Sequence, residues 1–399
     1  MLSTTHYILI HDILIKKGEQ LMVNEKRLVE SFMELVRIDS ISREERNLAD
    51  FLIEKLEDLG LEVIVDQTGE KIKSNSGNII ARLRGNTKKA TPIMFSAHMD
   101  TVVPGKNINP LLKGEKIVSR GKTILGADDK AAIAALLEAM HIIKENNISC
   151  GDIEIVFSIC EEIGLKGAKN LDISCLDAQM GFVLDAGGQV GKIITTAPSQ
   201  NSLEIIIHGK SAHAGSNPEE GINAIQVAGF ALSRMKIGQI DEETTANIGI
   251  ISGGKATNIV PDKVILKGEV RSRNEEKLEK YTEQLKKITK DTAQEFKAKA
   301  EVKINKEYHW YNLSTNEQAV KVAVKAAKNI GLQPLLGPSG GGSDANVFNK
   351  KDLLSVVLAV GIEKAHALEE YILIKELKNT ARYIISIINT VALGEDLDE

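Results

Sequence analysis

The sequence predicts an α/β protein whose mixed sheet is interrupted by a smaller, ferredoxin-like α+β domain. Three observations support this fold class. Up to about residue 197, short apolar segments alternate with amphipathic helical segments, which is typical of a largely parallel or mixed sheet with helices on both faces. Residues 198–307 instead follow the order strand, helix, two strands, helix, strand, the split pattern of a ferredoxin-like sandwich. From residue 308 the helix–strand alternation resumes.

Length and composition indicate a globular protein of two domains. The chain has 399 residues, more than one ordinary hydrophobic core accommodates. With 43% apolar residues and a net charge of -5, it lacks the basic composition that a general nucleic-acid-binding protein needs. No apolar run approaches the roughly 18 residues of a membrane span. Cys150, Cys160 and Cys175 show no C-x-x-C spacing, so we expect a cytoplasmic protein with no membrane or nucleic-acid partner.

The N-terminal region divides at Met22. In residues 1–21 a short apolar patch is broken by His11 and Asp12, and the lysines follow the patch, which is a poor match to a signal peptide. We predict that residues 1–21 are an upstream extension. After Met22, helical spacing predicts a helix with one apolar face, formed by Leu28, Phe32, Leu35 and Val36. A second helix ends at Gly60 and has an apolar side formed by Leu48, Leu52, Leu56 and Leu59.

The outer α/β domain is predicted from residues 22–197 and 308–399. Four apolar segments predict strands, namely "GNIIARL", "TPIMFSAH", "DIEIVFSIC" and "MGFVLDAGG". An alanine-rich helix, "DDKAAIAALLEAMHIIKENN", lies between the second and third strands. The last predicted helix begins at Glu369. The interrupting domain is predicted from residues 198–307.

His98 and Asp100 end the second of these strands. Residues i and i+2 of a strand point to the same side, and open α/β sheets carry their sites at the carboxyl ends of strands. A carboxylate beside an imidazole can fix the orientation of a metal-binding histidine. Taken alone, the pair is better explained as a chance His–Asp pair on a surface loop.

Other acidic residues and a second histidine also lie at the ends of predicted strands or at the starts of predicted helices. Asp128 and Asp129 open a helix, where acids are also common N-caps. Glu161 and Glu162 follow the third strand on what we expect to be extended backbone, so that the two side chains point in opposite directions. Asp185 ends the fourth strand, and His366 precedes the last helix.

These side chains are predicted to converge on one edge of one sheet. Two histidines and several carboxylates suit a pair of zinc ions with a bridging carboxylate. Two such metals can polarise a carbonyl and generate hydroxide near neutral pH. A glutamate that binds no metal would accept the proton of the attacking water.

Five ordered motifs carry a family resemblance that covers the chain from about residue 24. The segments "SAHMDTV", "GADDKAA", "EEIGLKGA", "LDAGG" and "AHALEE" resemble those of the aminoacylase/carboxypeptidase G family of two-zinc hydrolases, and within it the peptidase T-like tripeptide aminopeptidases. The resemblance implies a zinc-peptidase catalytic domain with an inserted lid and dimerisation domain. It also implies a homodimer that pairs through the lid.

The resemblance assigns roles by position. It implies that His98 and Glu162 each bind one zinc and that Asp128 bridges both. Asp185 and His366 complete the set, one on each metal. Asp100 steadies His98, Glu161 is the general base, and Asp129 is a non-ligand neighbour. Co²⁺ or Mn²⁺ would be alternative metals.

Four residues are implied as substrate contacts. His213, in "GKSAHAGSNPEEGINAI", would hold the substrate carbonyl or the oxyanion; a cap of the following helix is the alternative. Asn258 and Arg271 are candidates, the latter for a substrate carboxylate. The glycine-rich segment 337–348 lacks the Gly-Lys-Ser/Thr of a phosphate loop, and in it Ser339 is a candidate, with Asp344 a further option.

The predicted activity is hydrolysis of short peptides, with release of the N-terminal residue of tripeptides by a metal-bound hydroxide and the Glu161 base. One alternative keeps this mechanism on other substrates, as an N-acyl amino acid deacylase or a dipeptidase. A second alternative is a non-catalytic peptide-binding relative. Such a protein is expected to have lost metal ligands, whereas all five implied ligands are present here.

Overall fold

The computed structural model describes residues 23–87 and 89–394. The hypothesis about residues 1–21 therefore concerns a segment outside the described residues. The chain divides into two compact units. Among the described residues, the first unit comprises those up to Ile193, Asn316–Leu335 and those from Leu354 onward, and the second comprises Ile194–Thr315 and Leu336–Leu353. The insert predicted at residues 198–307 lies within the second unit. That unit also includes Leu336–Leu353, which lie within residues 308–399 of the predicted outer domain.

The elements are numbered in chain order. The helices are α1 (Glu25–Arg37), α2 (Arg46–Asp58), α3 (Thr68–Ile72), α4 (Ala127–Asn146), α5 (Lys166–Asn170), α6 (Ala224–Arg234), α7 (Glu275–Glu295), α8 (Gln318–Asn329), α9 (Asp344–Lys350) and α10 (Ile374–Leu393). The strands of the first half are β1 (Glu62–Val65), β2 (Ile79–Leu83), β3 (Ile93–His98), β4 (Pro110–Lys113), β5 (Lys116–Ser119), β6 (Ile153–Ser158), β7 (Met180–Gly187) and β8 (Lys192–Ala197). Those of the second half are β9 (Ser199–His208), β10 (Gly238–Gln239), β11 (Thr244–Gly253), β12 (Lys263–Ser272), β13 (Lys299–Tyr308), β14 (Tyr311–Asn312), β15 (Leu335–Pro338), β16 (Ser355–Glu363) and β17 (Tyr371–Leu373).

The first unit is built on a mixed sheet, which confirms the predicted fold class. Its strands lie in the order β1-β2-β6-β3-β7-β16-β17-β5-β4. The central strand β3 runs parallel to β6 on one side and to β7 on the other, and β16 runs parallel to β7. Every residue of β3 and of β6 is buried, as expected for strands with both sheet faces covered.

Helix α4 lies against the sheet and against two other helices. It contacts β3, β7 and β16 as well as α1 and α10. Its run of small and apolar residues from Ala131 to Leu136 is buried, because alanines allow the helix to approach its neighbours on several sides. The carboxylate of Glu138 in α4 accepts a 2.6 Å hydrogen bond from Arg27 Nε of α1, which fastens the two helices together.

The first two helices form as the sequence predicts. The Asn24 side chain caps α1 by accepting a hydrogen bond from Arg27 N. The four predicted apolar residues of α1 are fully buried, and burial of each such side chain stabilises the fold by about 1.5–3 kcal/mol. Gly60 follows α2 with φ of +83°, a left-handed conformation that glycine adopts at little cost.

The second unit contains the predicted βαββαβ order. Its sheet has the strand order β10-β11-β12-β9-β13, with antiparallel neighbours. Along β9, buried and partly exposed residues alternate, so that Leu203, Ile205 and Ile207 join a core with residues of α6 and α7. The two-residue strand β10 was not predicted.

The start of the last helix differs from the prediction. Tyr371–Leu373 form β17, which pairs with β5 and with the end of β16, and α10 begins at Ile374. The apolar pattern of "EEYILIK" fits either structure, and only pairing with distant strands favours the strand. Within residues 23–87 and 89–394, no helix is long and apolar enough to cross a membrane.

Candidate active site

The predicted site residues of the first unit meet at one edge of its sheet. Neighbouring parallel strands β6, β3 and β7 lead at their carboxyl ends to Glu161, His98 and Asp185. The next strand, β16, leads to His366. Carboxyl ends of parallel strands lie together, and the crevice beside them is the usual site position in open α/β sheets.

The Asp128 carboxylate lies between the two histidines. Its Oδ1 is 3.1 Å from His98 Nε2, and its Oδ2 is 3.2 Å from His366 Nε2. Each histidine has a further carboxylate beside it: Asp185 Oδ1 is 3.8 Å from His98 Nε2, and Glu162 Oε1 is 2.9 Å from His366 Nε2. The cluster therefore has two halves that share Asp128.

The turn that carries Asp128 departs from a regular helix start. Asp128 and Asp129 have non-helical backbone angles at the beginning of α4. Asp129 is fully buried, and its Oδ2 accepts a 3.2 Å hydrogen bond from His98 N. Burial, with the nearby carboxylates of Asp185 and Asp128, raises the pKa of Asp129 well above its usual value, although His98 opposes this shift. Asp128 faces the imidazoles, whereas Asp129 contacts the backbone of β3.

His98 is oriented by a backbone oxygen. Its Nδ1 donates a 2.8 Å hydrogen bond to the carbonyl oxygen of Asp100, whereas the Asp100 carboxylate lies 3.6 Å from the same nitrogen. Donation from Nδ1 leaves Nε2 as the lone-pair nitrogen of the neutral ring. Because His98 Nε2 faces Asp128 and Asp185, the ring is arranged to bind a cation through that atom.

The Asp100 carboxylate instead contacts the turn after β6. Its Oδ1 accepts a 2.8 Å hydrogen bond from Glu161 N, and its Oδ2 lies 3.3 Å from Glu162 N. Ser42 Oγ donates a 2.6 Å bond to the same carboxylate. The family resemblance implies that this carboxylate steadies His98, whereas its shortest contacts are to the backbone of the two glutamates and to Ser42.

Glu161 and Glu162 lie on a turn, which differs from the extended backbone expected from the sequence. Strand β6 ends at Ser158, and Cys160 has φ of +54°. The carbonyl of Glu161 accepts hydrogen bonds from Gly164 N and Leu165 N. Both glutamate side chains nevertheless reach the cluster, since Glu162 groups with His98 and Asp128, and Glu161 groups with His98 and Asp185.

The histidines and carboxylates of the cluster shift one another's pKa values. Burial disfavours a charged His98, but the Asp100 carboxylate 3.6 Å from Nδ1, the hydrogen bond with Asp128 and other nearby carboxylates outweigh it and raise its pKa well above the usual value. Hydrogen bonds with Asp128 and Glu162 raise the pKa of His366 to about 10. Burial would raise the pKa of Asp128, but its hydrogen bonds with both histidines lower it. The cluster therefore attracts positive charge.

The donor atoms fit a metal ion. The ligand atoms of His98, Asp128 and Glu162 lie within 4.8 Å of one another, and so do those of His98, Glu161 and Asp185. Tetrahedral zinc with bonds of about 2.0–2.1 Å places its ligand atoms roughly 3.4 Å apart. The 2.9–3.8 Å separations between the imidazole nitrogens and the carboxylate oxygens agree with that spacing. Imidazole nitrogens with carboxylate oxygens are a donor set that suits zinc and related divalent ions.

Two buried ionisable side chains beside the cluster were not predicted from the sequence. Glu370 accepts main-chain hydrogen bonds from the turn before Asp128. Lys130 is fully buried, and its Nζ donates a 2.7 Å bond to Ile38 O. Burial lowers the pKa of Lys130 to about 7, although the carboxylates of Asp39 and Glu370 oppose this. Both residues belong to quoted motifs, but motif letters do not reveal which neighbours of a ligand are buried.

Two of the four predicted substrate-contact residues lie together in the second unit. His213 and Asn258 belong to adjacent segments, since Asn258 O accepts a 3.0 Å hydrogen bond from Ala214 N. His213 Nδ1 accepts bonds from Gly215 N and Ser216 N, each 3.1 Å. This histidine therefore caps its own turn, and its neutral ring carries the proton on Nε2.

The other two predicted substrate-contact residues, Arg271 and Ser339, lie near Gly341. A Cβ added to Gly341 would lie 3.6 Å from Arg271 Nη1 and 3.9 Å from Ser339 Oγ. Arg271 donates from Nε and Nη2 to the Glu269 carboxylate, and Ser339 Oγ accepts a bond from Gly341 N. Both functional groups thus already have intramolecular partners.

The chain is similar to known proteins over most of its length. Residues 94–390 match the sequence profile of Peptidase family M20/M25/M40. A Bacillus subtilis relative, described as uncharacterized protein YqjE, is 45% identical over 371 residues, which cover 93% of this chain and 100% of the relative.

Two solved structures are similar in both sequence and fold. A tripeptidase from Staphylococcus aureus has a TM-score of 0.88 and 43% identity, covering 93% of this chain and 100% of its own. Aminopeptidase PepT from Bacillus cereus has a TM-score of 0.82 and 44% identity, covering 93% and 99%. With the family profile matched over most of its length, the chain belongs to peptidase family M20/M25/M40 and is an enzyme.

Proposed function

We propose that this peptidase binds two zinc ions and removes the N-terminal residue of tripeptides. The position of Asp128 carries the proposal, because its two oxygens face two different imidazole nitrogens at 3.1 and 3.2 Å. Such a carboxylate is suited to bridge two metals. His98 with Asp185, and His366 with Glu162, would complete the two sets of ligands. Co²⁺ or Mn²⁺ would bind the same donors.

The zinc ions, when bound, supply Lewis-acid polarisation of the scissile carbonyl and acidify a water molecule. Glu161 accepts a proton from the attacking water as the new C–O bond forms. It then delivers that proton to the amide nitrogen as the C–N bond breaks, which releases the N-terminal amino acid and a shortened peptide. The 2.8 Å bond from Glu161 N to Asp100 fixes the backbone of this base.

Substrate binding is proposed for four residues of the second unit. His213 would donate its Nε2 proton to a substrate oxygen, an assignment supported by the two N–H groups that occupy Nδ1. Asn258, on the adjacent segment, would provide a further polar contact. Arg271 would bind the peptide carboxylate, with Ser339 beside it.

Tripeptides are proposed because two similar solved structures are named as a tripeptidase and an aminopeptidase. The test is a panel of free-amine tripeptides, dipeptides and N-acetyl amino acids, assayed before and after chelation and after zinc is restored. We expect tripeptides to be cut at the first peptide bond, with activity lost on chelation. Cleavage of N-acetyl amino acids alone would contradict the proposed substrate, and chelator-resistant cleavage would contradict the zinc chemistry.

A cytoplasmic homodimer is also proposed. Cys150, Cys160 and Cys175 are free thiols, which agrees with a reducing compartment. Strand β10 pairs with Thr245 and Ala246, near the start of β11. Beyond them, Ile250 and Ile251 are each 56% exposed, and an apolar edge strand of this kind favours pairing with a second copy. Light scattering of the wild type and of Ile250→Lys tests this; a monomeric wild type would reject it.

A further inference from the structure

Glu370 is a buried carboxylate that accepts three main-chain hydrogen bonds from one turn. Its Oε2 accepts bonds from Leu125 N and Gly126 N at 2.7 and 2.8 Å, and its Oε1 accepts one from Asp128 N at 3.0 Å. Glu370 is only 1% exposed. Three N–H groups directed at two carboxylate oxygens fix both the position and the orientation of the turn.

The turn that Glu370 holds ends at the central residue of the candidate metal cluster. The bond to Asp128 N fixes the backbone from which the Asp128 carboxylate extends toward His98 and His366. A shift of a few tenths of an ångström in this backbone would change both the 3.1 and the 3.2 Å separations. Glu370 therefore acts on both halves of the cluster at once.

Glu370 is also tied to His366 along the chain. The carbonyl of Ala367 accepts a hydrogen bond from Glu370 N, and Lys364 O accepts one from Ala367 N. These two turns connect the end of β16 to β17 and contain His366. One residue thus anchors the segment of His366 through its backbone and the segment of Asp128 through its side chain.

Other buried glutamates of this unit serve different parts of the fold. Glu376, for example, accepts a 2.9 Å bond from Val190 N, in the connection between β7 and β8. Glu376 is 8% exposed. It therefore provides a comparison that separates the general effect of removing a buried carboxylate from an effect on the metal cluster.

We propose that Glu370 is a positioning residue that sets the spacing of Asp128 and His366 for metal binding. The proposal rests on the proposed di-zinc function. Glu370→Gln keeps the size of the side chain but replaces one acceptor oxygen with an N–H donor, so that at least one of the three main-chain N–H groups loses its acceptor. The effect should therefore appear in metal affinity before any substrate is added.

The experiment measures zinc affinity of chelator-treated, full-length protein by competition with a chromogenic chelator. We expect Glu370→Gln to weaken zinc binding roughly 10–100-fold, as removal of partners that orient metal ligands generally does. Two matched controls are available. Glu369→Gln makes the same change at the adjacent exposed residue, and Glu376→Gln makes it at another buried one. Both should bind zinc within about threefold of the wild type, since neither contacts the cluster backbone.

The second readout is the rise in melting temperature caused by zinc. A ligand that binds only the folded state stabilises it according to concentration and affinity, so this rise should shrink for Glu370→Gln and not for the controls. Unchanged zinc affinity and an unchanged rise in melting temperature would overturn the proposal. So would an equal loss in Glu376→Gln, which would indicate a general effect of buried charge.

A conservative variant keeps the test decisive if Glu370→Gln does not fold. Glu370→Asp retains both oxygens on a shorter side chain and should show the same direction of change. If neither variant folds with or without zinc, Glu370 is a requirement of the fold and the positioning role is rejected. A wild type that binds no zinc would instead reject the proposed function, before any variant is compared.

Discussion

The carbonyl oxygen of Asp100, and not its carboxylate, is the closer partner of the His98 ring: Nδ1 lies 2.8 Å from the carbonyl oxygen and 3.6 Å from the nearest carboxylate oxygen. The carboxylate instead accepts the N–H of Glu161 at 2.8 Å. Asp100 thus connects two adjacent parallel strands. Its backbone orients the imidazole that ends β3, and its side chain holds the turn that follows β6.

Asp100→Asn should therefore act mainly on the Glu161 turn. Asparagine leaves the backbone carbonyl in place for His98 but replaces one acceptor oxygen with an amide donor, which would face Glu161 N, Glu162 N or Ser42 Oγ. At saturating zinc we expect kcat to fall about 10–100-fold, with zinc affinity reduced less than tenfold. Steady-state kinetics and chelator competition measure the two effects. A hundredfold loss of zinc affinity with normal kcat would show instead that the carboxylate mainly supports His98.

We expect Glu161 to act as the general base and Glu162 to act as a metal ligand, so substitutions of the two residues should have different effects. Glu161→Gln removes a proton acceptor and is expected to lower kcat about 10²–10⁴-fold, while two zinc ions remain bound. Glu162→Gln replaces one carboxylate oxygen with an amide NH2 and removes the negative charge beside His366 Nε2, which lies 2.9 Å from Oε1, so it should lower zinc affinity. Metal analysis alongside kinetics decides between them. The assignment would be reversed if Glu161→Gln bound one zinc and Glu162→Gln bound two.

Zinc binding should release protons in a pH-dependent way. Hydrogen bonds with Asp128 and Glu162 raise the pKa of His366 to about 10, above the usual value of about 6.5. In the metal-free protein, the pairs of His366 with Asp128 and Glu162 therefore stabilise the folded state fully below about pH 6.5. This stabilisation is lost as the pH rises through about 10. A cation that binds His366 Nε2 must displace its proton, so zinc affinity should rise as the pH rises toward about 10.

Calorimetric titrations with zinc in buffers of different ionisation enthalpy count the released protons. At pH 7.5 we expect at least one proton per chain, and a smaller number for His366→Ala. His208→Ala is the control, because His208 pairs with Glu301 in the second unit and should leave the count unchanged. Equal proton release by the wild type and His366→Ala would contradict the prediction.

Gly167 should be intolerant of a side chain. A Cβ at this position would lie 2.3 Å from Ile159 O and 2.6 Å from Asn78 Oδ1, which are backbone and buried atoms that cannot easily move. We expect Gly167→Ala to lower the free energy of unfolding by about 1–3 kcal/mol. Because Ile159 lies two residues before Glu161, kcat should also fall.

Gly229→Ala is the matched control for Gly167→Ala. Gly229 lies within α6, and nothing would lie within 4 Å of an added Cβ. Alanine should therefore stabilise this helix by about 0.5–1 kcal/mol. Urea unfolding of both variants measures the difference. Equal midpoints for Gly167→Ala and the wild type would show that Ile159 and Asn78 can move aside.

The sequence alone was sufficient to predict the elements whose apolar residues form a simple pattern. Leu28, Phe32, Leu35 and Val36 recur at helical spacing and are buried in α1. A helix at the surface of a domain packs only one face against the core, so its apolar residues repeat at that spacing. Short unbroken apolar runs, which have no such period, located β3, β6 and β7. Their polar carboxyl ends were sufficient to predict that His98, Glu161 and Asp185 meet at one sheet edge.

Only the tertiary structure decided which atoms meet there. Tyr371–Leu373 became a strand because β5 and β16 offered hydrogen-bonding partners, although the apolar pattern also fitted a helix. The Asp100 carboxylate contacts Glu161 N because β3 and β6 are neighbours, and Glu370 reaches the Asp128 turn across more than 240 positions of the chain. Local sequence fixes the period of an element and the residue types at its ends. The donor that each buried carboxylate meets is set by long-range packing, which no local pattern records.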